Sequence, residues 1–251
     1  MCRHLAAVGP EAPIGAVLVE PAYALVRQAW APRMQRSGTV NADGFGVGWY
    51  AAGDPAPARY RRAGPIWADL SFADLARVVR TRALLAAVRD ATVPSADAEA
   101  SVAPFTAGPW LFSHNGAVTG WPRTTAPLAA GLPAELLLDM EARCDAAFVW
   151  ALVRHRLALG DPPGRALAGT VTTLARAAPG SRLNLLLTDG TSVLATAWGD
   201  SLWYRTGHPG PTVVASEPYD DDPRWTEIPD RTLLTADPTD VTLVPLKEPS
   251  Q

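Results

Sequence analysis

Two consecutive helical patterns lie in the middle of the sequence, with strand patterns before and after them. The first, PAELLLDMEARCDAAFVWALVRHRLALG, covers residues 133–160 and is stopped by Gly160 and the Pro162–Pro163 pair. The second, GRALAGTVTTLARAAPG, covers residues 164–180. Strands, two adjacent helices and then further strands predict an α+β fold in which the helices pack on the faces of sheets.

The two flanking regions are rich in short strand patterns. The stretches HLAAVG, NADGFGVGWY, ALLAAVRDAT and PWLFSHNG predict strands before the helices, and two shorter helices are predicted over residues 21–30 and 71–81. LNLLLT, SVLATAW, SLWYRT, TVVASEP, RTLLTA and VTLVPL predict strands after the helices, with a turn at Asp189–Gly190. No repeat or linker interrupts this order, so residues 2–251 are expected to form a single domain.

Composition excludes several classes of function. The net charge of −3, with arginines spread along the chain, argues against nucleic-acid binding, and no apolar run of about 20 residues predicts a membrane span. Two cysteines without ligand spacing predict no bound metal. The start of the sequence lacks a signal-peptide pattern, so a cytoplasmic protein with free thiols is expected. No feature of the sequence specifies an oligomeric state.

Cys2 is the first candidate for chemistry because removal of Met1 would give it a free α-amine. A thiol with a reference pKa of about 8.5 and an α-amine of about 8 are closely matched, so the neutral amine can take the thiol proton. Nucleophile and base then belong to one residue. The alternative is an inert thiol at a frayed terminus, so the other residues of the site must decide.

Three further segments contain polar residues, and each allows a structural and a functional interpretation. Asn115–Gly116 in FSHNGAV is either a turn or an oxyanion hole built from a side-chain amide and a backbone N–H. Arg89, after the apolar run ALLAAV, is either a structural ion-pair partner or a carboxylate ligand. Asp145 in RCDAAF is either an acid at a helix start or an ammonium ligand.

Together these residues describe a pocket for an α-amino acid that presents a side-chain carbonyl to the nucleophile. Arg89 would bind the α-carboxylate and Asp145 the α-ammonium, while Cys2 attacks the carbonyl. A γ-glutamyl amide is the small-molecule substrate that fits this arrangement.

The ordered stretches MCRHLA, NADGFGVGWY, AAVRDAT, PFTAGPWLFSHNG, CDAAF and VVASEP resemble the class II glutamine amidotransferases, which are N-terminal-nucleophile hydrolases. The resemblance covers most of the chain. It implies a four-layer αββα sandwich and no cofactor. It also implies roles for Cys2 as nucleophile, Asn115 and Gly116 as the oxyanion hole, Arg89 with Thr92 at the carboxylate, and Asp145 at the ammonium.

Two departures from the family pattern bear on function. Cys144-Asp145-Ala146-Ala147 stands where many members have Ser-Asp-Ser/Thr-Glu, which removes polar neighbours of the aspartate. The sequence also has no synthetase domain to receive ammonia, so a stand-alone hydrolase is expected. CRHLAAVG and CDAAFVWALV are most similar to the stand-alone amidohydrolases of ergothioneine biosynthesis.

Two other functions stay open at this stage. One is a glutaminase subunit that delivers ammonia to a separate synthetase, and the other is an inactive protein that binds a γ-glutamyl ligand. The residues that would hold the leaving group are also undecided. Candidates close in sequence to the site are Arg3, His4, Met34, Trp67, Trp110 and His114.

Overall fold

The structure is a computed structural model of the 251-residue chain and describes residues 2–36, 38–91, 98–207 and 210–247. Its strands are β1 Arg3–Pro13, β2 Phe45–Trp49, β3 Ala58–Arg62, β4 Arg80–Val88, β5 Phe105–Ala107, β6 Trp110–Ala117, β7 Arg182–Thr188, β8 Val193–Ala197, β9 Trp203–Arg205, β10 Thr212–Ala215, β11 Thr226–Glu227, β12 Thr232–Ala236 and β13 Val241–Pro245. Its helices are α1 Gly15–Leu18, α2 Leu25–Gln28, α3 Phe72–Val78, α4 Ala126–Ala129, α5 Ala134–Leu138, α6 Asp145–Ala158 and α7 Pro163–Ala177.

The strands form two antiparallel sheets. The seven-stranded sheet has the order β11-β9-β10-β1-β4-β2-β3, and the six-stranded sheet has the order β13-β12-β8-β7-β6-β5. The first sheet combines the N-terminal strands with β9 to β11 from the end of the chain, and β1 lies at its centre between β10 and β4. The start of the chain is therefore held on both sides by neighbouring strands.

Alternating side chains on β1 divide two of the hydrophobic layers. Leu5 and Ala7 pack in a cluster with residues of α1, α2 and α3, whereas Ala6 and Val8 pack against residues of the six-stranded sheet. Successive side chains of a strand point to opposite faces, so both faces of this sheet are buried. The other face of the six-stranded sheet packs on α6 and α7. The predicted α+β fold and four-layer αββα sandwich are confirmed.

The helical region predicted over 133–160 is not continuous in the structure. The structure divides it into α5 and α6, because Cys144 has extended backbone angles (φ −134°, ψ 162°) and is the N-cap of α6. An extended residue ends the helical hydrogen-bond ladder and lets a new helix begin. Asp145 is thereby the first residue of α6. The helix predicted over 21–30 is likewise limited to the single turn of α2.

Helix α6 is anchored to the six-stranded sheet by an aromatic contact. The rings of Phe112 on β6 and Trp150 on α6 stack with centroids 4.9 Å apart. This contact packs α6 on β6. Within the described ranges, none of the helices is both long enough and apolar enough to cross a membrane.

Candidate active site

The register of the seven-stranded sheet brings Cys2 and Arg89 to the same end of the sheet. Arg3 on β1 pairs with Val88 on β4. Because the strands are antiparallel, the residue before Arg3 and the residue after Val88 follow at the same edge. Cys2 and Arg89 both line one cavity of about 490 Å³ at that edge.

The same cavity is lined by two more of the predicted site residues, which come from other elements. Gly116 belongs to β6 in the six-stranded sheet, and Asp145 is the first residue of α6. The structure thus brings Cys2, Arg89, Gly116 and Asp145 together around one space. Thr92, the predicted neighbour of Arg89 at the carboxylate site, lies outside the described residues.

Asn115 contacts Cys2 and is not one of the residues that line the cavity. The backbone nitrogen of Cys2 donates a hydrogen bond to Oδ1 of Asn115, with 3.2 Å between the two atoms. Nδ2 of Asn115 donates to Oγ of Ser216 at 3.2 Å, and the Asn115 side chain is fully buried. Ser216 Oγ also bonds to the backbone of His4. The amide of Asn115 is therefore fixed at both ends, and Ser216 uses one of its two Nδ2 hydrogens.

The environment of Cys2 acts on its thiol in two directions. Burial raises the pKa of the Cys2 thiol, and a hydrogen bond from the backbone of Asp90 together with the positive charge of Arg89 opposes this rise. Burial disfavours a thiolate, whereas a donor and a cation favour it. A thiol in this setting needs a nearby base to become nucleophilic.

Gly116 stands where the backbone approaches another strand too closely for a side chain. Its φ is +148°, and a Cβ atom there would collide with the backbone carbonyl of Arg182 on β7. Only glycine combines that backbone angle with that close approach. The backbone of Gly116 lines the cavity without a side chain.

Arg89 and Asp145 supply opposite charges to the cavity. Arg89 donates to the backbone carbonyl of Asp43 at 3.3 Å. Asp145 accepts hydrogen bonds from Val118 N–H at 3.0 Å and Ala146 N–H at 2.8 Å. The carboxylate is thus oriented by two backbone donors, and it keeps lone pairs for a cationic ligand. A ligand with both a carboxylate and an ammonium group complements this pair.

A buried ion pair lies beneath Cys2, and sequence reasoning missed half of it. Arg3 Nε donates to the Cys2 carbonyl at 3.0 Å, and its guanidinium is 3.7 Å from the carboxylate of Glu217. The two side chains are 1% and 0% exposed. Glu217 also accepts from the backbone N–H groups of Arg33 and Met34 at 2.9 and 2.8 Å. Glu217 stands two residues after the apolar strand TVVA, and this position could have identified it from the sequence.

Of the six residues considered for the leaving group, His114 lines the cavity, where its ring contacts the Arg182 carbonyl at 3.0 Å. The structure uses the other five elsewhere. Arg3 and Met34 contact Glu217, His4 bonds to Ser113, Trp67 packs on Trp30, and Trp110 accepts a bond from Thr106 within its hairpin.

The cavity wall also contains residues that sequence reasoning did not assign to it. Phe105 on β5, Trp121 after β6, and the Arg143–Cys144 pair before α6 all line it. The position of Arg143 and Cys144 directly before Asp145 was a signal for two of them. In the described part of the chain, no group of three or more His, Cys, Asp or Glu side chains could hold a metal ion.

Known proteins are similar to this chain in sequence and in fold. A family model described as glutamine amidotransferases class-II matches residues 19–209. The chain is 40% identical over 98% of its length to a γ-glutamyl-hercynylcysteine sulfoxide hydrolase of Mycobacterium tuberculosis, 97% of which is covered. It is 39% identical to a protein of the same name from Mycolicibacterium smegmatis, over 98% of this chain and 100% of that protein.

A solved structure resembles the fold along its whole length. It is a glutamine aminotransferase class-II domain protein from Silicibacter pomeroyi, with a TM-score of 0.70 and 24% identity over 99% of this chain and 100% of that one. The fold, the family model and the relatives agree. The chain belongs to the class II glutamine amidotransferases.

Proposed function

We propose that this protein hydrolyses γ-glutamyl-hercynylcysteine sulfoxide at its γ-glutamyl amide bond and releases glutamate. The observation that carries the proposal is the convergence of Cys2, Arg89 and Asp145 on one cavity, in a chain 40% identical over 98% of its length to a hydrolase of that name. A nucleophile, a cation and an anion in one cavity complement a glutamyl group attached through its side-chain carbonyl.

The headgroup is bound by two charged contacts. Arg89 offers a planar guanidinium to the α-carboxylate of the glutamyl group, and Asp145 accepts the α-ammonium. Val118 N–H and Ala146 N–H orient the Asp145 carboxylate before the substrate arrives. This orientation limits the entropy that binding would otherwise cost.

The chemical step starts at Cys2. Once Met1 is removed, the nitrogen that contacts Asn115 is an α-amine, and as a free base it takes the thiol proton. The thiolate attacks the γ-carbonyl carbon, and the Gly116 N–H with Asn115 Nδ2 stabilises the oxyanion. The C–N bond then breaks while the α-ammonium of Cys2 protonates the leaving amine. Water hydrolyses the thioester, which releases glutamate and regenerates the thiol.

The test is the release of glutamate from γ-glutamyl-hercynylcysteine sulfoxide by the purified protein alone. We expect turnover without any partner protein, and none with Cys2→Ala that folds like the wild type by circular dichroism. Turnover of glutamine only in the presence of a synthetase would instead support a glutaminase subunit. Binding of the substrate without turnover by the wild type would support an inactive binding protein.

A further inference from the structure

Arg143 supplies a second cationic side chain to the active-site cavity, outside the contacts proposed for the glutamyl headgroup. Its side chain is exposed and lines the cavity. Within residues 2–36, 38–91, 98–207 and 210–247, the structure gives Arg143 neither a hydrogen bond nor an ion pair. The guanidinium is thus available to a ligand that enters the cavity.

The acidic residues nearest to Arg143 in the sequence are already engaged. Glu141 pairs with Arg59 at 2.9 Å and with Arg61 at 2.8 Å. Asp145 receives two backbone N–H groups and faces the proposed ammonium site. Neither of these acids pairs with Arg143 in the structure, so Arg143 does not serve as one half of a local ion pair.

The cavity has room for more than a glutamyl group. Its volume of about 490 Å³ lies within the range of about 300–1,000 Å³ that is typical of sites for larger ligands. One wall is aromatic: Trp121 lines the cavity, and its ring packs on Phe148 with centroids 5.1 Å apart. Because that contact fixes the indole, Trp121 offers a rigid surface to the part of the substrate beyond the amide.

We infer that Arg143 binds a carboxylate carried by the leaving group, and that Trp121 covers the leaving group's stem. This inference rests on the proposed hydrolase function and adds the residue that selects its leaving group. In a γ-glutamyl amino acid, the scissile nitrogen is bonded to the α-carbon that bears the second carboxylate. A guanidinium recognises a carboxylate through two parallel hydrogen bonds, and Arg143 has its donors free for them.

The charges of such a substrate match those of the cavity. A γ-glutamyl amino acid carries two carboxylates and one ammonium group, which complement Arg89, Arg143 and Asp145. Asp90, which also lines the cavity, bonds to the Cys2 thiol through its backbone, and its carboxylate lies beside Gly38. Arg143 therefore distinguishes γ-glutamyl peptides from simple γ-glutamyl amides.

Two substrates that differ in one carboxylate test this role. γ-Glutamyl-alanine and γ-glutamyl-ethylamide have the same headgroup and the same leaving-group stem, and the second lacks the leaving-group carboxylate. We expect wild-type kcat/KM to favour the dipeptide by about tenfold or more, the value of one charged hydrogen-bonded contact. Arg143→Gln should abolish the preference by lowering kcat/KM for the dipeptide about tenfold more than for the ethylamide, while Arg143→Lys should keep part of the preference.

Arg123→Gln is the matched control, because Arg123 is an exposed arginine two residues after Trp121 and not one of the residues that form the cavity wall. It should retain the wild-type preference. Equal wild-type turnover of the two substrates, or a preference that survives Arg143→Gln, overturns the inference while the hydrolase function stands. If the wild type cleaves none of the three compounds, the two test substrates and γ-glutamyl-hercynylcysteine sulfoxide, both the inference and the hydrolase function are overturned.

Discussion

The backbone nitrogen of Cys2 lies 3.2 Å from Oδ1 of Asn115, although 113 positions separate the two residues in the sequence. The contact joins the residue directly before β1, in the seven-stranded sheet, to β6 in the other sheet. It orients the nitrogen that would become an α-amine on removal of Met1. A base held in this way keeps its lone pair available for the thiol of the same residue.

The proposed mechanism requires removal of Met1, because an amide nitrogen at Cys2 cannot accept the thiol proton. We expect the active protein to lack the mass of one methionine in intact mass spectrometry. Cys2→Ala should be folded and inactive, whereas Cys144→Ala should keep most of the activity. An active protein that retains Met1 in full, or the reverse pattern in the two variants, would contradict the mechanism.

Asn115 is expected to act both on the Cys2 nitrogen and on the oxyanion. Asn115→Ala should lower kcat by about 10²-fold to 10³-fold, the usual loss for one oxyanion donor. Asn115→Asp separates the two roles, because it keeps an acceptor for the Cys2 nitrogen and removes the Nδ2 donor. If Asn115→Asp retains wild-type kcat, Asn115 only positions Cys2. Steady-state kinetics on a γ-glutamyl substrate provide the measurement.

Recognition of the glutamyl headgroup should depend on Arg89 and Asp145. Arg89→Lys replaces a planar fork with a point charge, and Asp145→Asn leaves the α-ammonium without its counter-charge. The second change should weaken transition-state binding by about 2 to 5 kcal/mol, measured as a loss of kcat/KM. An N-acetylated or α-esterified γ-glutamyl amide should also be a poor substrate. Efficient turnover of the N-acetylated compound would limit Asp145 to its contacts with Val118 and Ala146.

The buried pair of Arg3 and Glu217 is expected to contribute to stability. Glu217→Gln removes the carboxylate that pairs with the buried Arg3 guanidinium, so the free energy of unfolding should fall by about 3 to 5 kcal/mol. Urea denaturation measures the change. Asp74→Asn is the control, because Asp74 and Arg77 form a pair whose side chains are 81% and 71% exposed. That substitution should alter stability by less than about 1 kcal/mol.

His4 should make the protein sensitive to acid. Burial, aided by the charge of Arg3, holds the pKa of His4 well below 6.5, so His4 is neutral in the fold. Below about pH 6.5 the unfolded chain binds a proton that the folded chain does not, and the free energy of unfolding falls as the pH drops. Between pH 7.5 and 5.5 the wild type should lose about 1 kcal/mol more than His4→Gln in urea denaturation. An equal loss would show that His4 does not titrate on unfolding.

The sequence by itself determined most of the helix and strand segments and the candidate residues of the active site. Period and capping patterns act over a few residues, so most of the strand segments and the helical regions that contain α6 and α7 could be predicted from them. Cys2 was identified because a thiol beside a free amine is a complete nucleophile and base. Gly116 was identified from its position after Asn115, and the structure adds that a Cβ atom would collide with the Arg182 carbonyl.

Only the tertiary structure decided which distant side chains meet. The break between α5 and α6, which ends at the extended residue Cys144, was not predicted from local patterns. The pairing of Arg3 with Glu217 depends on contacts between elements far apart in the chain. The same is true of the cavity wall, which includes Arg143 and leaves out Met34 and Trp67. Such contacts follow from sheet order and layer packing, which the whole chain determines by burying its apolar faces together.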